Sequence, residues 1–336
     1  MDLQRRALYN LLRMNWLQEP QIEVEPWQVE DYRELPKEEL FRRLRELGVR
    51  MDEAYFLAFS EEFDNPEELS DAMGSEEAEP QEQDECYLLV FELWRRLIPE
   101  RPSLSIFCDE LDRQIYAHDR AELEDEEHMQ DVLANLQDLL DENTDQGESP
   151  NLVFNSVADA SANDLESFLY DFITGQIESG NLEYASELLD GFYPYVSDPR
   201  WFALLKARLV ADSDADRANE IIEEIFRNTK KLPDLEFDLE MLIVLTQVGE
   251  RAVFVSILRR AIELLNKEED LQDLISICAD YFQCLDRDED DLALQKLLKK
   301  RSGYDLNQPI DKNDSAMSEL IGLVGSCASS SAENGD

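Results

Sequence analysis

Apolar side chains recur at three- and four-residue spacing along most of this chain, the period of one helix face. The sharpest run lies between Asn163 and Asn266. It predicts helices over 165–179 and 181–195, with a turn at Ser197-Asp198-Pro199. Helices over 200–211 and 215–230 follow, closed by Lys231-Leu232-Pro233-Asp234, and then helices over 235–248 and 251–266. Each hairpin has a stripe. Leu165, Phe168, Leu169, Phe172 and Ile173 form one, and Ile221, Ile222, Ile225 and Phe226 another. Leu242, Leu245, Leu258, Ala261, Ile262 and Leu265 supply the third hairpin.

The three hairpins are copies of one scheme. Aligning the small or apolar residue early in each second helix gives Ala185, Ala218 and Phe254, which are 33 and 36 residues apart. One hairpin cannot cover its own apolar stripe, so it needs a neighbour stacked on it; a helix–turn–helix period in the thirties marks a solenoid. Gly180-Asn181-Leu182-Glu183-Tyr184-Ala185 carries the turn and helix start, and Gly249 with Ala261 twelve residues on repeats it. On these residues the stretch resembles the tetratricopeptide-repeat family. It departs from the family pattern at Ile173, Lys206 and Leu242, where a small residue is usual, and at Ser213, where a turn glycine is usual.

Upstream the pattern is also helical. Leu8, Leu11, Leu12 and Trp16 share a face over 3–17, opposite Arg5, Arg6 and Arg13, and read as an ordinary packed first helix. In 20–26, Ile22 and Val24 alternate with glutamates, a short strand without a visible mate. Pro36 opens a helix that Gly48 ends, 51–64 makes a second with Tyr55, Phe56, Phe59 and Phe63, and Asn65-Pro66 starts a third. Residues 86–98 are apolar nearly all round, which implies burial; helices over 103–116 and 122–140 follow. Residues 271–285 and 292–300 form a shorter terminal pair, and 315–324 a weak helix.

The expected fold is all-α: a helical-hairpin N-terminal region and then a tetratricopeptide-like α-solenoid. The divisions are 1–73, helical hairpin; 74–85, acidic linker; 86–140, helical; 141–150, linker; 151–301, repeat domain; and 302–336, disordered tail.

Charge narrows the function. There are 78 acidic against 31 basic side chains, a formal net charge of −47. Direct binding to a phosphate backbone needs clustered Lys and Arg and is excluded, and anionic lipid surfaces are disfavoured. Residues 61–160 carry 30 acidic and 5 basic side chains, against 10 and 9 in residues 1–50. No membrane span or signal peptide is legible, and five scattered cysteines do not read as a disulfide framework; a cytoplasmic protein is expected.

Candidate chemistry is sparse. His118 and His128 sit among carboxylates but in no metal-ligand spacing. Asp212-Ser213-Asp214-Ala215-Asp216 and Asp286, Asp288, Asp290 resemble calcium loops without the sixth-position glycine, and read as Asp-capped turns. No phosphate loop or nucleophile motif is present. No catalytic residue, metal or cofactor is expected.

The expectation is therefore a non-enzymatic adaptor or scaffold that binds a peptide or helix of a protein partner, basic or carrying an apolar helix. The family resemblance implies a concave face lined from the first helix of each unit. Mapped onto this chain it picks Tyr170, Thr174, Ile177 and Glu178, then Arg200, Ala203 and Ala207, then Glu236, Ile243 and Gln247. The alternative is an acidic chaperone for a basic client awaiting export or assembly. A nucleic-acid mimic ranks last, since linker acids such as Glu76 to Glu85 are not held at regular spacing.

Overall fold

The computed structural model describes residues 5–74, 78–122, 126–211, 213–248, 251–311 and 314–326. Asp212 of the first calcium-like run, Gly249 of the repeat turn, Cys327 and the tail from 327 lie outside the described residues, as does part of the expected 74–85 linker. Among the described residues the fold is all-α, and no helix is long and apolar enough to cross a membrane. The chain divides into two compact units, Met1–Leu169 with Pro194–Ser197, and Tyr170–Tyr193 with Asp198–Asp336.

The first unit opens with α1 (Arg5–Gln18), α2 (Pro26–Val29), α3 (Lys37–Glu46), α4 (Glu53–Ser60) and α5 (Pro66–Met73). They pack around α6 (Pro80–Leu97), in which every residue from Cys86 to Trp94 is buried, as an all-apolar helix requires. The alternating segment before α2 forms no strand, because no second strand lies beside it to take its backbone hydrogen bonds. The expected caps hold. Gly48, at φ +87°, ends α3, and Asn65 Oδ1 accepts from Glu68 N at 2.8 Å to start α5.

α7 (Leu104–Asp119), α8 (Glu126–Asp145) and α9 (Pro150–Ala158) complete this unit. Residues 141–150, expected as a linker between domains, are the last turn of α8, a short turn through Gly147 and the start of α9. The two units meet in the chain at 169/170, inside α10 (Leu165–Glu178). Charges fix the first unit across long sequence separations. Asp109 of α7, nearly fully buried, accepts from Arg6 Nε at 2.7 Å and Arg33 Nη2 at 2.5 Å. Asp112, one turn on, accepts from the backbone N–H groups of Ala162 and Asn163 and so ties α7 to the approach to α10.

The second unit holds the stretch in which the sequence suggests a repeat. After α10 come α11 (Leu182–Phe192), α12 (Pro199–Ala211), α13 (Ala215–Asn228), α14 (Leu235–Val248), α15 (Arg251–Leu264), α16 (Glu268–Cys284) and α17 (Asp288–Arg301). α12 packs on α13, α14 on α15 and α16 on α17; first helices stack on first helices, α12 on α14 on α16. Ala185, Ala218 and Phe254, the aligned repeat positions, are all fully buried. The terminal pair is a full hairpin, not a shortened one: α16 has 17 residues and α17 has 14.

The tail differs most from expectation. Within it α18 (Ser315–Ser326) packs on α15 and α17 with Ala316, Met317, Leu320 and Val324 buried in the same core. The polar residues 302–311 mislead because they belong to a connection. Its carbonyls at Gln308 and Leu306 accept from Glu268 N at 2.9 Å and Glu269 N at 3.0 Å, meeting free donors at the α16 N-terminus.

Gly180, at φ +80°, makes the turn between α10 and α11, with nothing within 4 Å of where a Cβ would lie. Strain alone is therefore tested there. Gly180→Ala is expected to cost about 1–2 kcal/mol, read as a lower urea midpoint with an unchanged slope.

Candidate functional site

The face proposed from the repeat register lies in the second unit, where α10, α12 and α14 present one side each. Three rings run across it. Tyr170 meets Trp201 edge-on at 5.4 Å between centroids, and Trp201 meets Phe237 edge-on at 4.9 Å. Above them lies a polar network. Tyr170 donates its hydroxyl to Glu240 Oε1 at 2.9 Å. Arg208 donates to Glu178 Oε1 at 2.9 Å and to Glu240 Oε1 at 3.3 Å.

The Tyr170–Glu240 bond joins α10 to α14 across α12, so the centre of this face is filled by its own side chains. Ala207 of α12 is 0% exposed. Burial raises the Tyr170 hydroxyl pKa, and the Glu240 carboxylate raises it further, so the hydroxyl stays a donor.

The ten residues expected on this face divide. Tyr170 and Glu178 belong to the network, and Thr174 lies 3.5 Å from Arg208 Nη1. Glu236, Ile243 and Gln247 are exposed on α14, and Ile177 is half-buried on α10. Ala203 packs against the core. Arg200 is held in the turn by Asp198, with Nη2 to Oδ2 at 2.5 Å, and reaches Asp234 at 3.4 Å. Burial opposes ionisation of Asp198, but hydrogen bonds from Arg200 hold its pKa below the usual value. Ala207 is a correction: a side chain with no exposed surface does not line a wall.

The residues missed were Trp201, Arg208 and Glu240. On α12 it is Trp201 and Arg208 that meet the neighbouring helices' side chains, one position on from the expected Arg200 and Ala207. Arg200, Lys206 and Arg208 fall on different sides of that helix, so periodicity alone does not orient it. On α14, Glu240 lies between Glu236 and Ile243 at helical spacing and belonged with them.

At the turn end of the hairpins a second concavity of about 890 Å³ opens among Arg200, Thr229, Leu232, Asp234, Leu235 and Leu264. Leu232 there is 78% exposed, the most exposed large apolar side chain among the described residues. The second expected chemistry is placed differently. His118 Nδ1 lies 3.2 Å from Asp119, and its ring meets Phe168 edge-on. Asp214 caps α13 by accepting from Arg217 N at 2.9 Å, an N-cap role. Among the described residues no group of three or more His, Cys, Asp or Glu side chains is gathered for a metal ion. No protein-family model, no curated protein and no solved structure matches this chain.

Proposed function

We propose that this chain is a non-enzymatic, tetratricopeptide-like binding module, an adaptor that holds a peptide or helix of a protein partner on the first-helix face of its second unit. The observation that supports it is Ile243. It is 37% exposed on the same helix face as exposed Glu236 and Gln247 and the network carboxylate of Glu240. An apolar side chain set among carboxylates, beside a rigid ring ladder, suits an apolar anchor with basic flanks.

Two variants test it. Tyr170→Ala with Glu178→Lys removes one end of the network and reverses a rim charge; Ile243→Glu changes only an exposed side chain. Each is expected to weaken capture of partners from native extract at least about tenfold, roughly 1.4 kcal/mol, with helix content retained. Recovery of the same proteins at the same yield by both variants sinks the reading.

A specific observation also favours an acidic chaperone for a basic client. From Ala121 to Pro199 the chain has no Lys or Arg. On α8, Glu127, Asp131, Asp138, Glu142 and Asp145 are all exposed and recur at helical spacing. They span about 27 Å at 1.5 Å per residue. These acids sit on a helix, unlike the linker acids considered from sequence. A client held there is released by moderate salt.

A further inference from the structure

The first unit carries a groove that the repeat reading does not use. It has a volume of about 770 Å³ and is lined by Trp16, Val24, Pro26, Trp27 and Val29, with Glu30 and Arg43 at one side. Tryptophan is on average deeply buried, so two partly exposed indoles on one groove are informative. Trp27 packs against Tyr9, with 5.8 Å between ring centroids. Its Nε1 is buried and has no hydrogen-bond acceptor among the described residues.

The unpaired charge beside the groove lining is acidic: Glu23 and Glu25 bracket Val24, whereas Arg13 and Arg33, which flank residues 14–32, are paired with Asp31, Asp109 and Glu110. Arg43 is the cation in the lining, and it is occupied: it pairs with Glu30 at 2.5 Å and with Glu39 at 2.9 Å. Residues 14–32 contribute Glu19, Glu23, Glu25, Glu30 and Asp31 and no Lys or Arg. Glu19, Glu23 and Glu25 are exposed.

Indole faces attract cations through the ring quadrupole, most strongly among the aromatic side chains. Exposed carboxylates beside them add Coulomb attraction for the same ligand. A second copy of this chain, with its own net charge of −47, is repelled. We infer that this groove docks a basic, extended segment of another protein, with a Lys or Arg side chain laid on the indole faces and the nearby glutamates completing the charge match. The inference concerns the first unit alone and stands whether or not the first-helix face of the second unit binds a partner.

The test uses the full chain and a labelled, blocked peptide of repeating Arg-Gly, followed by fluorescence anisotropy. A repeating Pro-Gly peptide of equal length is the neutral comparison. The Arg-Gly peptide is expected to bind, and Trp16→Ala to weaken it roughly tenfold. Glu23→Lys, an exposed change that leaves the packing alone, is expected to weaken it severalfold, by less at high salt. Equal affinity of the wild-type chain and both variants overturns the inference, because the peptide is then held by acidic surface elsewhere. Equal binding of the Pro-Gly peptide overturns it too, as does self-association that depends on Trp16.

Discussion

Asp109→Ala is expected to lower the stability of the first unit by about 3–5 kcal/mol, because it leaves Arg6 without its carboxylate and Arg33 with Glu110 alone in a largely buried site. Arg6 and Arg33 reach this carboxylate from α1 and from the turn before α3, and both are largely buried themselves. Arg6 also lies over the Phe91 ring at 4.7 Å, so its head cannot simply swing to water without losing that contact. The pH dependence carries a sign. Burial by itself would raise the Asp109 pKa, but the two arginines more than offset it and hold it down to about 2. A depressed carboxylate stabilises the folded state above its unfolded pKa and loses that contribution as pH falls. For a depression of this kind the contribution is on the order of 2–3 kcal/mol near neutral pH. The gap between wild type and Asp109→Asn in denaturant unfolding should therefore be full above about pH 5 and shrink towards pH 2. A gap that stays constant over that range means the carboxylate is not the group being protonated. Replacing all three with apolar residues of similar volume should recover most of the loss.

This cluster also shows what a sequence does not display. Arg6 and Asp109 are 103 residues apart, and nothing local marks either as a partner of the other. The helices themselves are local facts. The range 235–248 is readable from spacing, because four turns of apolar periodicity are bounded by a proline on one side and a glycine on the other. The pairing of helices is legible for the same reason: Ala185, Ala218 and Phe254 must each fit against a preceding helix, and all three are buried.

The candidate face is legible on α10 and α14 and not on α12. On α14 Glu236, Glu240 and Gln247 share one side, whereas on α12 Arg200, Lys206 and Arg208 are spread over different sides and give no single polar face. Composition misleads at the tail. Asp, Asn, Ser and Gly read as disorder, yet 302–311 serve as hydrogen-bond acceptors for α16, and α18 supplies four buried apolar side chains to the core. Low local hydrophobicity predicts disorder only when no larger core is waiting to receive the few apolar residues present.

The second large effect follows from that tail. Glu268→Gln is expected to destabilise the second unit by about 3–5 kcal/mol. Glu268 has no exposed surface, and Arg301 holds both of its oxygens, Nε to Oε1 at 2.8 Å and Nη2 to Oε2 at 2.6 Å. The remaining guanidinium nitrogen, Nη1, reaches Asp314 at 2.9 Å, at the foot of α18. One arginine thus joins the start of α16, the end of α17 and the approach to α18. Burial raises the Glu268 pKa and Arg301 more than offsets it, so the net direction is down. Stability from this pair is complete above the ordinary glutamate range and declines as the solution is acidified through it, and Glu268→Gln should be insensitive there. Asp314→Asn, which leaves the Glu268–Arg301 pair intact, should cost only about 0.5–1.5 kcal/mol. Asp314→Asn as damaging as Glu268→Gln would mean that the α18 approach, rather than the carboxylate pair, holds the end of the repeat. Glu268→Gln with a wild-type midpoint would mean that the repeat closes without the buried pair.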